Sequence, residues 1–272
     1  MEELVRRLTS DPELGRTLAV GFLAAARIAP LTVLAPWLTL RDAPMTTRGA
    51  VMLALTLALA PLAAASAGPV PASAWLVGAL ALREVLLGTV FALASALPLY
   101  ALDWAGRLVD VWRGASMAEV IAPPTGERTS PLGDLQLLAG VALFAAIGGH
   151  RVAFAAFAEA LQQAPVGVLP DLPSMAAVAG RAGRLIASAL AFAAAIAGPA
   201  AAAIVATEVS LGLVARAAPQ IPVFFAGMPL RGAVGVAAVL LATSFLMARL
   251  PADLSDAIAM AEALLRNMGR GP

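Results

Sequence analysis

Twenty-three consecutive residues, Leu185 to Thr207, carry no charged side chain. As a helix such a run reaches about 35 Å, enough to cross the ~30 Å hydrocarbon core of a bilayer. Val85 to Leu102 adds 18 uncharged residues and Gly232 to Ala248 adds 17. Gly49 to Leu82 is uncharged too, but Pro61, Gly68, Pro69 and Pro71 punctuate it. That predicts a helix near 48–66, a turn, and a new start near Ser73 to Trp75. Thr17 to Leu40, interrupted by Arg27, Pro30 and Pro36, and Leu135 to Gly149 with its continuation to Gln163 complete roughly six hydrophobic segments. Hydrophobic residues make up 61% of the chain and charged ones 13%, with a mean hydropathy of +0.88. A soluble domain averages about 45–50% apolar and about 25% charged, and a soluble core of this length cannot hide such an excess. Alternating patterns are rare, so strands are not expected. The predicted fold class is all-α, a polytopic membrane protein read as one integral membrane domain over 1–272. Its tail, 251–272, patterns as an amphipathic helix with Leu254, Ile258, Ala261, Leu265 and Met268 on one side, suited either to a cytosolic partner or to the membrane interface.

Composition also removes function classes. With no cysteine there is no disulfide, thiol catalysis or thiolate metal site, and the single histidine, His150, rules out a multi-histidine metal cluster. A net charge of +1 argues against a nucleic-acid surface. The chain has no GxSxG or HExxH pattern and no paired catalytic aspartates at helical spacing, so an enzyme is not expected and no cofactor is implied. His150 beside two glycines reads as structural. The start, with Glu2, Glu3, Arg6 and Arg7 ahead of any long apolar run, has the wrong charge order for a secretory signal and is read as mature sequence. Arginines are spread over 41–48, 103–134 and the C-terminus without a clear bias, which leaves orientation open.

Charges inside the apolar runs are informative because each costs about 2.5–3.5 kcal/mol at a bilayer centre. Arg27, Arg83, Glu84, Glu159, Glu208 and Arg216 all fall within or beside such runs, and Arg83, Glu84, Glu159 and Glu208 are candidate buried charges that face protein or water. Glu208, Gly212 and Arg216 recur at four-residue spacing on one helical face. Gly88, Ala92 and Ala96 form a small-residue stripe that permits close helix approach. In "DWAGRLVDVWRG", Asp103, Arg107 and Asp110 fall on one stripe opposite Trp104, Leu108, Val111 and Trp112. This is either a solvated amphipathic helix or a charged lining for a wet passage.

Two stretches break the helical pattern. In "GASMAEVIAPPTGERTSPLG", residues 114–133, Pro123, Pro124 and Pro131 forbid one continuous helix. Its first half is small and apolar, with Gly114, Ser116, Met117, Val120 and Ile121, and such a loop either packs on its own chain or seals an opening. In "RAAPQIPVFFAGMPLRG", residues 216–232, Pro219, Pro222 and Pro229 push Ala218, Ile221 and Met228 away from helix. Irregular backbone at membrane depth persists only inside protein or beside a wet cavity. Arg216, Pro219, Gln220, Pro222, Phe224, Phe225, Met228 and Pro229 are therefore read as an assembly surface, with the phenylalanines as anchors.

Four motifs occur in order: "ARIAPLTVLAPWL" at 26–38, "RG" with "PPTGERTSPLG" across 113–133, "GGH" at 148–150, and "RAAPQ" followed by "PVFFAGMPLR" across 216–231. Together they resemble the FliR/SctT family of type III secretion export-apparatus membrane proteins, over about residues 17–250. Asp110, Arg113 and Gly114 with "PTG" and "SPLG" look more like the injectisome SctT branch than the flagellar FliR branch. The resemblance implies bent helical hairpins that pack with SctR/FliP-type and SctS/FliQ-type membrane subunits into a hetero-oligomeric pore, working with SctU/FlhB-type and SctV/FlhA-type components. It implies an inner-membrane protein that passes unfolded exported proteins, with the 114–130 loop as plug. A competing reading is an ion-coupled secondary transporter using Glu208 or Glu159, which predicts repeated halves; no repeat is evident.

Overall fold

The computed structural model describes residues 12–38, 40, 43–69, 73–114, 130–168, 172–220 and 222–269. Among these, the regular structure is all helical: α1 (Pro12–Leu34), a 3-10 turn (Pro36–Leu38), α2 (Met45–Ser66), α3 (Ala74–Trp112), α4 (Pro131–Ala146), α5 (Gly149–Gln163), α6 (Leu172–Ala217) and α7 (Val223–Gly269). Among the described residues four helical stretches are long and apolar enough to cross a membrane, Glu13–Leu34, Met45–Ser66, Trp75–Trp112 and Gly183–Ala217, and α4 with α5 makes a fifth if counted as one broken span. The sixth expected segment lies within α7, where the apolar stretch among the described residues is the shorter Gly227–Ala242.

Several helices run through prolines that the sequence marks as interruptions. Pro30 lies inside α1 and Pro229 inside α7, so Met228 is helical rather than extended. A proline removes one backbone bond and bends a helix, but packing of its neighbours holds the helix together. Gly198 and Pro199 are likewise carried inside α6, but at Gly68 and Pro69 the helix does stop. α2 ends at Ser66 ahead of Gly68 and Pro69, and α3 begins at Ala74.

The chain forms two compact units, residues 1–96, 148–185 and 254–272 in the first, 97–147 and 186–253 in the second. In the first, Leu23, Ala24 and Ile28 of α1, Leu87 and Phe91 of α3, and Phe157, Ala160 and Leu161 of α5 are buried. Phe91 meets Phe157 edge-on at 5.1 Å between ring centres and Trp37 meets Phe154 at 5.4 Å, while Trp37 Nε1 donates to Ser95 Oγ at 3.3 Å. The small-residue stripe of α3 is used here: a Cβ at Gly88 would run into the Arg27 carbonyl oxygen, and Ala92 and Ala96 are fully buried. The end of α7 packs within this unit, with Leu254, Ile258 and Ala261 buried and Gln163 Nε2 donating to Glu262 Oε1 at 3.2 Å.

In the second unit α3 and α4 touch backbone to backbone. A Cβ at Gly106 would collide with the backbone of Gly133, and one at Gly140 would stand 2.5 Å from Leu102 Cδ1. α6 and α7 form an antiparallel hairpin. Gly227 lies against Leu211, Arg231 pairs with Glu208 at 3.3 Å, and Gly235 faces Ile204. As one helix advances along the chain the other retreats, so the two run antiparallel.

Gly88 and Gly78 share a helix but not an environment, since nothing lies within 4 Å of a Cβ built at Gly78. Gly88→Ala should destabilise by about 1–3 kcal/mol, whereas Gly78→Ala should be neutral or stabilising by roughly 0.5–1 kcal/mol. Thermal unfolding of the two variants in detergent checks the contrast, and equal melting would contradict the backbone contact.

Candidate functional site

The first unit is organised around the connection that follows α5. Three successive carbonyl groups there, on Ala164, Pro165 and Val166, lie beyond the helix and need donors in an apolar setting. Each finds one. Arg27 Nη1 donates to Ala164 O at 2.8 Å, Arg83 Nη1 to Pro165 O at 3.1 Å, and the Gly68 backbone N–H to Val166 O at 2.8 Å. Ser66 Oγ adds a bond to Leu161 O at 3.2 Å. Gly167, at φ 91°, turns the chain away. Glu84 holds both guanidinium groups in place: Arg27 Nε donates to Oε2 at 2.5 Å and Arg83 Nη1 to Oε1 at 2.6 Å. Arg27 and Glu84 are fully buried and Arg83 nearly so.

A second clasp sits in the other unit. The Asp110 carboxylate accepts from Arg113 Nε at 2.6 Å, from Ser130 Oγ at 2.5 Å and from the Leu132 backbone N–H at 3.0 Å. Ser130 caps α4, its Oγ accepting from Gly133 N at 3.2 Å, with Pro131 opening the first turn. One carboxylate thus joins the chain just before segment 115–129 to the chain just after it. Beside it, Arg107 Nε lies 2.9 Å from both Asp103 oxygens.

This geometry corrects the reading of "DWAGRLVDVWRG". Asp103 and Asp110 are the buried side, each 5% exposed, while Leu108, Val111 and Trp112 are exposed. The two aspartates of the stripe are therefore not solvated, although Arg107 between them keeps 38% of its side chain exposed, and Asp110 caps the start of α4. The apolar stripe faces outward because the surroundings of this chain are apolar too.

Arg83 and Glu84 are buried and paired. Glu159 and Glu208 are not buried in this chain: Glu159 is exposed, and the Glu208 side chain is half exposed beside Arg231. Arg216, Pro219, Gln220, Pro222, Phe225 and Pro229 are exposed and Met228 is half-buried. Glu208, Gly212 and Arg216 share the outer side of α6, with open space around Gly212. Gly114 has φ 81°, whereas Ser116, Met117, Val120 and Ile121 lie outside the described residues, as does the Phe224 side chain. Gly148, at φ 74°, turns α4 into α5 and explains the "GGH" motif, while His150 is exposed. Sequence reading missed Asp110 as a cap. The signal that pointed to its partner was "SPLG", a capping serine followed by proline; Asp110 itself is twenty residues away and gave none.

A family profile described as "Bacterial export proteins, family 1" matches residues 18–256. The chain is 30% identical to Yop proteins translocation protein T of Yersinia pestis over 152 residues, 56% of this chain and 58% of that protein. It is similar to Secretion system apparatus protein SsaT of Salmonella typhimurium, 30% identical over 150 residues, 54% and 56% of the two chains. With the Flagellar biosynthetic protein FliR of Escherichia coli K12 it shares 25% identity over 215 residues, 79% and 80% of the two. The match to the Yersinia and Salmonella proteins spans little more than half of their length.

Replacing Asp110 by alanine removes three accepted bonds and leaves Arg113 and the Leu132 N–H without their partner. The expected loss is about 2–4 kcal/mol of stability, with Asp110→Asn retaining part of it. Thermal unfolding with both variants measures this, and a wild-type melt for Asp110→Ala would show that the clasp is incidental.

Proposed function

The chain belongs to the bacterial export proteins, family 1, and from that membership we propose that it is a structural subunit of a type III secretion export gate. In this reading it completes a protein-conducting pore in the bacterial inner membrane, through which unfolded substrates leave. The observation that carries it is the family match over 18–256, which takes in most of both units. Its assigned partners are SctR/FliP-type and SctS/FliQ-type membrane subunits, with SctU/FlhB-type and SctV/FlhA-type components beyond them. The chain does no chemistry of its own. It supplies shaped helices.

Outward apolar surface supports a subunit embedded among lipid and other subunits. Leu18 and Phe22 on α1, Leu53 and Leu57 on α2, and Val205, Val209 and Leu213 on α6 are all exposed. The surface of Arg216, Pro219, Gln220, Pro222, Phe224, Phe225, Met228 and Pro229, on both sides of the junction between α6 and α7, is assigned to subunit contact. The loop carrying Gly114, Ser116, Met117, Val120 and Ile121 is assigned to the plug; its apolar sequence and the Asp110 clasp at its base favour this. The injectisome branch is preferred on the 30% identities to the two secretion proteins. The longer coverage by FliR supports the flagellar branch as the second reading.

Native mass spectrometry of the chain co-expressed with its two partner-type subunits should give a discrete hetero-oligomer holding one copy of it. A monomer or homodimer that ignores those subunits would remove the export-gate reading. Within the assembled complex, deleting Met117 to Ile121 should raise ion leak across vesicles by an order of magnitude or more if the loop seals the pore, since a plug's removal opens the path outright. An unchanged leak would remove the plug assignment alone. Phe225→Asp should abolish co-purification, and stoichiometric assembly of that variant would remove the proline break from the interface.

A further inference from the structure

Each polar cluster described above lies wholly inside one unit. Arg27, Arg83 and Glu84, with the three carbonyls after α5, belong to the first. The Asp110 clasp and the Glu208–Arg231 pair belong to the second. Close backbone contacts divide in the same way. Gly88 meets Arg27 within the first unit, and Gly106 meets Gly133 within the second.

The chain passes between the units four times, at 96/97, 147/148, 185/186 and 253/254. Each crossing carries a residue that weakens a helix. Pro98 lies in α3 just past the first, and Pro251 lies in α7 just before the last. Each removes one N–H from the helical ladder, so the helix bends more easily there. Gly148, at φ 74°, stands at the second crossing, between α4 and α5. Gly183 lies in α6 two residues before Leu185, at the third. Nothing lies within 4 Å of a Cβ built on Gly183, so packing does not demand glycine there as it does at Gly88 and Gly106. What that glycine supplies is a softer helix. Pro30, Pro61, Pro199 and Pro229 also sit inside helices, but each within a single unit whose packing steadies it.

We propose that Pro98, Gly148, Gly183 and Pro251 form a four-stranded hinge, about which the two units change their mutual orientation as separate bodies. Turning at these points breaks none of the hydrogen bonds or ion pairs named above, because each of those closes within one unit. Hinges work this way, with a few residues taking up the backbone change while packed bodies stay intact. The hinge is a property of the chain and does not rest on the export-gate reading. Inside such a gate it lets the subunit yield without unfolding either unit.

The test uses the full chain in lipid nanodiscs and exploits its lack of cysteine. Spin labels on introduced cysteines at exposed positions report distance distributions by double electron–electron resonance. Leu18 with Leu57 reads the first unit, Leu138 with Val205 the second, and Leu57 with Leu138 reads across them. The two pairs within units should give narrow distributions, and the pair across them one roughly twofold broader or more. Pro98→Ala, Gly183→Ala and Pro251→Ala combined should narrow the distribution across the units and leave the other two unchanged. Alanine is the better helix former at all three positions, and the pairs within units show that the variant has folded. A distribution across the units as narrow as those within them overturns the proposal. Broad distributions within the units overturn it as well, since the units are then not rigid bodies. Breadth that survives the triple substitution removes the hinge from these residues.

Discussion

Broken backbone in an apolar setting has to be answered group by group, and the first unit is arranged around that demand. The carbonyls of Ala164, Pro165 and Val166 have no helix to return to, and lipid offers no hydrogen bond in compensation. Arg27 comes from α1, Arg83 from α3 and the Gly68 N–H from the chain after α2, so meeting three carbonyls draws three parts of the unit together. Glu84 fixes both guanidinium groups and lets them be buried. Gly88 then has to be glycine, because the helix carrying Arg83 and Glu84 must reach the backbone of the helix carrying Arg27.

The second unit solves the mirror problem. At the start of α4 the free groups are N–H donors, and the answer is an acceptor: the Asp110 carboxylate, acting with the Ser130 hydroxyl. Cations gather at the end of one helix and an anion at the start of another, each matching the partial charge of the backbone it meets. This accounts for why a chain with only 13% charged residues buries several of them. They are tied to breaks in the helices, and the breaks are what let long helices fold back.

Those breaks are also what an export-gate subunit requires in the reading proposed above. α3, α6 and α7 run to 39, 46 and 47 residues, about twice the ~20 that a bilayer core needs. Helices of that length, apolar on their outer sides and stopped by clasps and prolines, suit packing among other helices better than a row of plain spans.

Much of this was legible in the residues themselves. The apolar runs determined the all-helical membrane class, the proline and glycine at 68–69 placed the end of α2, and the spacing of Gly88, Ala92 and Ala96 marked a close helix contact. Periodicity located the stripe of Asp103, Arg107 and Asp110 but assigned it the wrong surroundings, because amphipathic logic takes water to be outside and this chain keeps apolar groups there. Prolines were over-read as breaks at Pro30 and Pro229, since packing holds a helix together across one lost bond. Only tertiary structure could decide which charges are buried. Arg27 lies 57 residues from Glu84 and 137 from Ala164 in the chain, while Glu159 and Glu208, in equally apolar stretches, stay exposed. A local pattern records what a residue is, but burial depends on what distant segments bring to it, and that is set by the unpaired backbone groups each charge is there to meet.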